Sequence, residues 1–443
     1  MKLIVIGGIA AGMSAASKLR RMDADAEIIV YEKGAFPTYG ACGLPYYISD
    51  ENDDHQKMIA RTVEDFEAQN IQVKLKHEVV KVDFERQQIM VKNLETGSIW
   101  IDPYDRLMIS TGTSPVVPPI PGINNEHVSV LKTMEDGLHM KERLLKPNIS
   151  DVTVVGGGYI GIEMAEGLRT LGKQVRVVEM APRILMPFDP EIVAIAQKEL
   201  TKQGVDLHLG ETVKEIQETG TKRRVVTDRD TYETDYIVLS VGVRPATSLF
   251  RGTALQLDQR GAIIVDKEMQ TNIPGVFAAG DCATVYNKVK DETDYIPLGT
   301  NANKGGRIAG ENIAGARRKY TGTLGSAAIK IFDLEMGRTG MSQAEAEERF
   351  DDVTAVTLTA RDHPQYYPGS VPLEVKLICE KRTKRILGGQ IIGEKGAVLR
   401  VDLIALAIHN AMTADELGMV DFCYAPPFAG VWDAVHIASN AVK

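Results

Sequence analysis

Residues 152–180 read VTVVGGGYIGIEMAEGLRTLGKQVRVVEM. An apolar run typical of a buried strand ends in glycines, small and apolar residues then recur at helical spacing, and a second apolar run follows. Gly156, Gly158 and Gly161 have the spacing GxGxxG between the first run and the helix. Glycines at these positions let the backbone approach a pyrophosphate, which then lies at the positive end of the helix. The stretch therefore predicts a βαβ unit that binds a dinucleotide.

Glu179 ends the second strand of this unit. A carboxylate at that place accepts hydrogen bonds from a ribose 2'-hydroxyl and repels a 2'-phosphate. We therefore expect NADH in preference to NADPH. Arg183, a few residues farther along, leaves NADPH open, because a guanidinium is able to pair with a phosphate.

A second unit of the same order stands at the start of the chain. Its elements are the strand KLIVIGG (2–8), the helix AAGMSAASKLRR (10–21) and the strand EIIVYEK (27–33). Gly7 and Gly12 take the outer glycine positions, whereas Ile9 replaces the middle glycine. Glu32 takes the ribose position. Two such units in one chain predict two bound dinucleotides.

Cys42 lies in the segment YGACGLPYYIS, residues 39–49. We expect a helix to begin at Cys42, with Pro45 tolerated in its first turn. The helix dipole and free N–H groups would then lower the pKa of the thiol and make it a nucleophile. The alternative is a small buried cysteine, which is the commoner fate of an intracellular cysteine. The flanking Gly40 and Gly43 leave the sulfur little cover and favour the reactive role.

Composition limits the classes of partner. The 443 residues suggest three domains, at roughly 100–200 residues for each. A net charge of −9 argues against nucleic acid, and no apolar run approaches the ~20 residues that span a bilayer, so we expect neither nucleic acid nor membrane as a partner. The four cysteines are widely scattered, which fits neither a disulfide framework nor a metal site and favours the cytoplasm. We expect Cys282, Cys379 and Cys423 to be packing residues, because each lies beside or within a strand-like apolar run.

Residues 104–122 combine a strand with a Pro-rich segment, which predicts a crossing between domains. Another strand, at 275–281, ends in Asp281, which either caps a helix or holds a polyol hydroxyl.

From about Thr323 onward the glycine-turn pattern stops. Alternating segments and a helix at 401–412 predict an α+β module there.

Six motifs stand in order along the chain. They are GGIAAGMSAAS (7–17), YGACGLPYYI (39–48), VVGGGYIGIEMAE (154–166), TNIPGVFAAGDCA (271–283), YYPGS (366–370) and YAPPFAGVWD (424–433). Together they resemble the single-cysteine pyridine nucleotide-disulfide oxidoreductases. Within that family they are most similar to coenzyme A disulfide reductase and the NADH-dependent CoA persulfide or polysulfide reductases. The resemblance covers essentially the whole chain.

The resemblance implies an α/β fold like that of glutathione reductase, with two Rossmann-like dinucleotide-binding domains and a C-terminal α+β dimerisation domain. Residues 1–112 and 247–322 would form a discontinuous FAD-binding domain. Residues 113–246 would form the NAD(P)H-binding domain, and residues 323–443 the dimerisation, or interface, domain.

The resemblance also implies a ligand for each of several residues. FAD would contact Gly7, Gly12, Glu32, Thr111, Gly112 and Asp281. NADH, with NADPH left open, would contact Gly156, Gly158, Tyr159, Gly161, Glu163 and Glu179. Tyr159 would lie over the flavin until nicotinamide displaces it, and Glu163 would orient the nicotinamide. CoA would be held by Arg21, Arg61, Asn303 and Arg307, although each arginine would otherwise be an ordinary solvated charge.

Tyr366 and Tyr424 match positions at which members of the family reach the cysteine of the partner subunit. Their hydroxyls would assist the departure of a CoA thiolate. Each would otherwise be an interface or packing tyrosine. The resemblance thus implies a homodimer whose active site is shared between subunits.

The predicted protein is an FAD-dependent NAD(P)H oxidoreductase that reduces CoA disulfide, or CoA persulfide or polysulfide. Tyr47 stands where reductases with an internal dithiol have their second cysteine, so Cys42 would pair with a small thiol, and the resemblance implies that this thiol is CoA. One alternative is an NADH oxidase or peroxidase that cycles Cys42 through a sulfenic acid, although Ala10 replaces the histidine typical of those enzymes. Another is a non-catalytic flavoprotein that senses NADH.

Overall fold

The computed structural model describes all residues, 1–443. The elements up to residue 115 are β1 (Lys2–Ile6), α1 (Ala11–Met22), β2 (Glu27–Tyr31), α2 (Leu44–Ile48), α3 (Val63–Glu67), β3 (Ile71–Lys74), β4 (His77–Asp83), β5 (Gln88–Asn93), β6 (Ile99–Pro103), β7 (Arg106–Ile109) and β8 (Thr113–Pro115). Those up to residue 245 are β9 (Val128–Val130), α4 (Met134–Leu144), β10 (Asp151–Val155), α5 (Tyr159–Thr170), β11 (Gln174–Glu179), α6 (Pro190–Lys202), β12 (Val205–Leu209), β13 (Val213–Thr219), β14 (Lys222–Thr227), β15 (Thr231–Thr234), β16 (Tyr236–Leu239) and β17 (Val243–Pro245). The remaining elements are β18 (Val276–Ala278), β19 (Val285–Asn287), β20 (Glu292–Asp294), α7 (Gly299–Ile313), β21 (Ala327–Ile331), β22 (Leu334–Gly340), α8 (Gln343–Glu347), β23 (Val353–Arg361), β24 (Pro372–Glu380), β25 (Ile386–Gly393), α9 (Ala397–His409), α10 (Ala414–Leu417) and α11 (Ala434–Asn440).

Two parallel sheets carry the two predicted βαβ units. The first has the strand order β18-β7-β1-β2-β3 and the second has the order β12-β11-β10-β16-β9. Their central strands β1 and β10 are mostly apolar and are buried at every residue after the first, as parallel strands covered on both faces require. β18 joins the first sheet from far along the chain, so that residues 276–278 complete a sheet begun at residue 2.

A narrow ribbon joins the two parallel sheets. β8 and β17 pair antiparallel, with Thr113 opposite Pro245, and the backbone N–H of Ala246 donates to the Gly112 carbonyl at 2.9 Å. Gly112 has φ +66°, a conformation that glycine adopts without strain. The chain therefore leaves and re-enters the first unit at one place, as the Pro-rich crossing at residues 104–122 predicted.

The third large sheet is antiparallel, with the order β21-β22-β25-β24-β23. α9 and α11 pack on it and share its buried apolar core. The predicted helix at 401–412 is α9, which begins earlier, at Ala397, and ends at His409. Large apolar side chains remain exposed on this unit: Leu399, Leu406, Met419, Phe428, Val431 and Trp432. A set of this kind is typical of a surface that contacts another protein.

None of the helices is both long and apolar enough to cross a bilayer.

A buried ionic cluster connects the second parallel sheet to the antiparallel sheet. Lys376 on β24 is 1% exposed, and its ammonium lies 3.0 Å from Asp189 and 2.5 Å from Glu191. Gln390 on β25 completes the cluster, because its amide donates to Asp189 at 2.9 Å and accepts from the Asp189 backbone N–H at 2.8 Å. The segment that leads into α6 is therefore fixed to the antiparallel sheet by the buried groups of Lys376, Asp189 and Gln390, while Glu191 reaches the surface.

We expect Lys376→Met to destabilise the protein by about 3–5 kcal/mol, because it leaves the Asp189 carboxylate buried without its cation. Thermal unfolding monitored by circular dichroism measures the change. Lys57→Met is the matched control, since Lys57 forms a fully exposed pair with Asp53 and its loss should leave the unfolding temperature almost unchanged. Equal effects of the two substitutions would show that the buried cluster adds nothing to stability.

Candidate active site

The glycine turns of the two parallel sheets have the same geometry. A Cβ on Gly12 would lie 2.1 Å from the Gly7 carbonyl oxygen, and a Cβ on Gly161 would lie 2.0 Å from the Gly156 carbonyl oxygen. Gly7 and Gly156 have φ values of +101° and +111°, which side chains disfavour. The backbone therefore requires glycine at all four positions, and each turn leads directly into a helix N-terminus.

Glu32 and Glu179 occupy equivalent places beside these turns. One oxygen of Glu32 accepts from the Gly8 N–H at 2.7 Å, and one oxygen of Glu179 accepts from the Gly157 N–H at 2.5 Å. In each case the other oxygen accepts at 2.7 Å from the N–H two residues after the glutamate. A carboxylate offers about four lone-pair sites, so both glutamates retain acceptors for ribose hydroxyls.

Two serines that sequence reasoning missed complete the turns. The Ser110 hydroxyl contacts the carbonyls of Ile6 and Gly7, both at 2.9 Å. Ser240 contacts the equivalent pair in the second unit, both at 3.1 Å. The available signal was the repeated pattern of an apolar residue, Ser, any residue and Gly, at ISTG (109–112) and LSVG (239–242).

Thr111, Gly112 and Asp281 lie together, because β7 and β18 are neighbours and their carboxyl ends meet. The Thr111 hydroxyl is buried and has no hydrogen-bond partner in the protein. Asp281 lies 3.5 Å from both the Thr113 hydroxyl and the ammonium of Lys132, a residue that sequence reasoning missed. The unpaired Thr111 hydroxyl, the turn at Gly112 and the Asp281 carboxylate together fit a polar cofactor. FAD has hydroxyl and phosphate groups that would pair with such residues.

Cys42 lies in a short 3-10 turn, Ala41–Gly43, that precedes the five-residue helix α2. The predicted helix therefore begins two residues later than expected, although Pro45 does lie in its first turn. Lys141 on α4 holds this helix: its ammonium donates to the Tyr47 carbonyl at 2.7 Å and lies 4.1 Å from the centre of the Tyr47 ring. The Cys42 side chain is exposed at this junction of the two parallel-sheet units.

The electrostatic prediction for Cys42 was wrong. Burial, followed by the charges of Glu163 and Asp281, raises the pKa of the Cys42 thiol, and Lys132 opposes them only in part. Although the side chain reaches solvent, the surrounding protein displaces part of the water that would solvate a thiolate. A 3-10 turn and a five-residue helix supply too small a dipole to compensate. The residues of this chain therefore favour the thiol at neutral pH.

Glu163 lies half-buried on α5. Burial, and then the charge of Glu166, raises the pKa of the Glu163 carboxyl to about 7. Glu166 itself is fixed by Lys330 of the antiparallel sheet and by the Phe332 N–H at 2.9 Å. Glu163 therefore changes its charge close to neutral pH, where its charge acts on the Cys42 thiol.

Tyr159 begins α5 directly after the second glycine turn. Its ring lies 6.2 Å from that of Phe188, and burial is the main cause that raises its pKa to about 12. The phenol is therefore neutral and partly apolar in its surroundings, which suits a ring that covers a planar cofactor. Gly158, beside it, is exposed and has free space where a Cβ would point.

Arg183 does not face the ribose carboxylate as a free cation. Its guanidinium donates to the backbone carbonyls of Met186 at 3.3 Å and Phe188 at 3.4 Å. These hydrogen bonds hold the Arg183 side chain against the loop before α6. Glu179 is thus the charged group that remains beside the glycine turn of the second unit.

The four residues predicted to hold CoA lie around the contact of α1 with α7. The helices approach closely, since a Cβ on Gly306 would lie 2.2 Å from the Ala11 carbonyl oxygen. Asn303 accepts from the Ser14 hydroxyl at 2.8 Å, and Arg61 lies 3.4 Å from the Ser17 hydroxyl. Ser14 and Ser17 are further residues that sequence reasoning missed.

Arg21 and Arg307 add exposed positive charge to this place. Arg21 follows Ser14 by seven residues and therefore lies on the same face of α1. Arg307 follows Asn303 by one turn of α7 and lies 3.6 Å from Glu311. The structure thus brings the four predicted residues to one exposed region with polar and cationic groups.

Tyr366 and Tyr424 lie on the antiparallel-sheet unit, where their hydroxyls are 3.3 Å apart. They are 73% and 47% exposed, so both rings are available to another chain.

The remaining cysteines differ from one another: Cys282 and Cys379 are buried as predicted, whereas Cys423 is exposed and the packing prediction for it was wrong. Its segment forms neither strand nor helix, and so gives the thiol no buried face.

We expect Glu163→Gln to lower the pKa of Cys42 and to speed its alkylation by iodoacetamide severalfold above pH 7. Below about pH 6 the wild-type carboxyl is itself protonated, so the two proteins should react alike. Peptide mass spectrometry measures the rate at Cys42, and Cys423 in the same sample is the internal control. Rate profiles that coincide at all pH values would contradict the electrostatic coupling.

Comparison with known proteins agrees with this geometry. The family model described as pyridine nucleotide-disulphide oxidoreductase matches residues 1–306, and its dimerisation domain matches residues 326–435. An NADH oxidase of Methanocaldococcus jannaschii is 34% identical over 99% of this chain and 98% of its own length. The NAD(P)H coenzyme A polysulfide/persulfide reductase of Pyrococcus horikoshii is 33% identical over 100% of this chain and 98% of its own length.

A solved structure extends the likeness to three dimensions. Reduced CoADR-RHD of Bacillus anthracis superposes with a TM-score of 0.96 at 35% identity, covering 100% of this chain and 80% of that one. The predicted α/β fold class, with two nucleotide-binding units and a dimerisation unit, is thereby confirmed. The chain belongs to the pyridine nucleotide-disulphide oxidoreductase family and is a flavoprotein oxidoreductase that uses NAD(P)H.

Proposed function

We propose that this enzyme uses NADH to reduce the disulfide of coenzyme A, or CoA persulfide or polysulfide, through Cys42. The observation that carries the proposal is the solitary exposed thiol at the junction of the two nucleotide-binding units. Tyr47, at the spacing of a second active-site cysteine, packs in the core and offers no sulfur. The partner of Cys42 is then a small diffusible thiol. The name of the Pyrococcus horikoshii relative supports CoA as that thiol.

The chemistry of the chain's own residues follows from this arrangement. The Cys42 thiol first loses its proton to solvent. The resulting thiolate attacks one sulfur of CoA disulfide, the Cys42–S–S–CoA bond forms as the S–S bond of CoA disulfide breaks, and one CoA thiolate leaves. Tyr366 and Tyr424 of the partner subunit would donate the proton that this thiolate takes up. FAD, held by the first unit, would pass two electrons from NADH to the mixed disulfide. Cys42 is thereby returned to its thiolate and the second CoA departs.

The site residues fit these roles. Glu32, Thr111 and Asp281 would hold FAD, and Glu179 would hold the ribose of NADH. The exposed region at α1 and α7 would bind the CoA nucleotide through Arg21, Arg61, Asn303 and Arg307. Its cationic groups suit a phosphate-rich ligand.

We also propose the assembly that this chemistry requires. Residues 1–112 and 247–322 would form the FAD-binding domain, residues 113–246 the NADH-binding domain and residues 323–443 the interface domain. Two chains would pair through the exposed apolar side chains of the interface domain, so that each supplies tyrosines to the other. The proposed location is the cytoplasm, where glutathione and thioredoxin keep a solitary thiol reduced.

An NADH oxidase is the second candidate, because the relative from Methanocaldococcus jannaschii has that name at 34% identity. In that reaction Cys42 would cycle through a sulfenic acid. Oxygen uptake in the absence of CoA compounds, compared with NADH consumption in their presence under nitrogen, separates the two reactions. Turnover with oxygen alone would favour the oxidase.

Cys42→Ser should keep bound flavin and lose reduction of CoA disulfide by at least about a thousandfold, because serine forms no mixed disulfide. NADH consumption with CoA disulfide measures the loss, and the visible flavin spectrum reports folding. Cys423→Ser is the matched control, since it removes the other exposed thiol. Undiminished turnover in Cys42→Ser would refute the proposal, as would a loss in Cys423→Ser as large as that in Cys42→Ser.

Glu179→Gln should raise the preference for NADPH relative to NADH about tenfold. A carboxylate repels a 2'-phosphate by on the order of 1–2 kcal/mol near a protein surface, and tenfold corresponds to about 1.4 kcal/mol. The ratio of kcat/KM for the two nucleotides measures the effect. Glu233→Gln, on the exposed strand β15, is the control and should leave the ratio unchanged. An unchanged ratio in Glu179→Gln would contradict the role of its charge.

A further inference from the structure

Tyr366 lies in the connection between β23 and β24, residues 362–371, which we name the first tyrosine loop. Its base is held by two residues that are each 4% exposed, Asp362 and His363. Asp362 accepts from the Val371 N–H at 2.8 Å, which closes the loop, and its other oxygen lies 2.8 Å from the His363 ring. The second ring nitrogen of His363 lies 3.3 Å from the Pro368 carbonyl. The loop is thus fixed from inside by buried polar groups.

Tyr424 lies in the connection between α10 and α11, residues 418–433, which we name the second tyrosine loop. Asp433 ends it and caps α11, accepting from the Val435 N–H at 2.9 Å. The His436 ring accepts from the Asp433 N–H at 3.2 Å and donates to the Val420 carbonyl at 2.8 Å. The two ends of the second loop are therefore tied together through one imidazole.

Arg400, on α9, joins the two loops. It is 9% exposed, and two nitrogens of its guanidinium hold the Asp433 carboxylate as a fork: Nε and a terminal nitrogen lie 2.9 and 2.8 Å from one oxygen, and Nε lies 3.1 Å from the other. The same guanidinium donates to the Asp362 backbone carbonyl at 2.7 Å. One rigid planar group therefore contacts the end of the second loop and the start of the first. The tyrosine hydroxyls lie 3.3 Å apart at the exposed tips of these loops.

We infer that Arg400, through Asp433 and the Asp362 carbonyl, is the positioning residue that sets the Tyr366–Tyr424 hydroxyl pair for proton donation to a departing CoA thiolate. This inference deepens the proposed function and rests on it. Arginine suits the place because its fork holds the carboxylate while a further N–H reaches the carbonyl. Lysine has one nitrogen, which cannot hold both partners in that geometry.

The basicity of the departing thiolate distinguishes a positioning role of Arg400 from a contribution of Arg400 to stability alone. CoA thiolate is basic, so its departure benefits from a proton. The aromatic thiolate of 5,5'-dithiobis(2-nitrobenzoate) is weakly basic and leaves without one. A change confined to the tyrosine hydroxyls should therefore slow the reaction with CoA disulfide and spare the reaction with the aromatic disulfide. A damaged fold or dimer would slow both.

The experiment measures kcat for the two disulfides in flavin-loaded Arg400→Lys enzyme. We expect a loss of about fivefold to twentyfold with CoA disulfide and less than about twofold with the aromatic disulfide. In a Tyr366→Phe/Tyr424→Phe background, Arg400→Lys should add no further loss, because coupled residues act as a unit. Arg223→Lys, a buried arginine on β14 that contacts neither loop, is the control and should leave the ratio of the two rates unchanged.

Asp433→Asn is the second variant, should Arg400→Lys fail to fold, since asparagine keeps the cap of α11 and weakens only the fork. It should give the same pattern with a smaller loss. Equal losses with both disulfides, or no loss with either, would overturn the positioning role. The proposed function would still stand in that case, because wild-type enzyme would still reduce CoA disulfide. A wild-type enzyme that does not reduce CoA disulfide would instead overturn the proposed function.

Discussion

Close contact between a bare glycine and a strand-end carbonyl governs both nucleotide-binding units. At Gly12 and Gly161 a single added carbon would lie about 2 Å from a backbone oxygen, a distance that no side chain tolerates. The contact forces each helix to begin directly over the end of its strand, so its free N–H groups point to where a pyrophosphate lies. The serine hydroxyls and the ribose carboxylates are arranged around that contact in the same way twice.

Much of this fold could be predicted from local patterns in the sequence. Apolar runs, glycine spacing and the terminal glutamates predicted the two parallel sheets, because each signal lies within about thirty residues and reports a backbone constraint. The Pro-rich crossing was readable for the same reason. The predicted start of α9 was four residues too late. Gly396 precedes that helix in a left-handed conformation and no side chain caps it, so the sequence has no capping signal there. The exposure of Cys423 was missed because an irregular segment has no periodicity to read.

The chemistry of the site was harder to predict than its location. The pKa of Cys42 depends on Glu163, which follows it by more than a hundred residues and belongs to the other unit. Lys141, which holds the short helix after Cys42, also comes from that unit. Arg183 was ambiguous in the sequence, and the structure shows its guanidinium bound to two loop carbonyls. Such pairings join distant segments, so composition and spacing carry no sign of them.

The ribbon of β8 and β17 gives the molecule a modular character. Every strand of the first sheet is complete without the segment between the two ribbon strands. The ends of that segment meet in the ribbon, where the Ala246 N–H donates to the Gly112 carbonyl and the Val116 N–H donates to the Gly242 carbonyl. A segment whose two ends lie side by side is the kind that a domain insertion leaves, and here the inserted unit also packs on α2 of its host. Loss of the inserted unit would therefore leave the two ends of the host close together, but it would remove the Lys141 contact to α2 and the Glu163 charge that acts on Cys42.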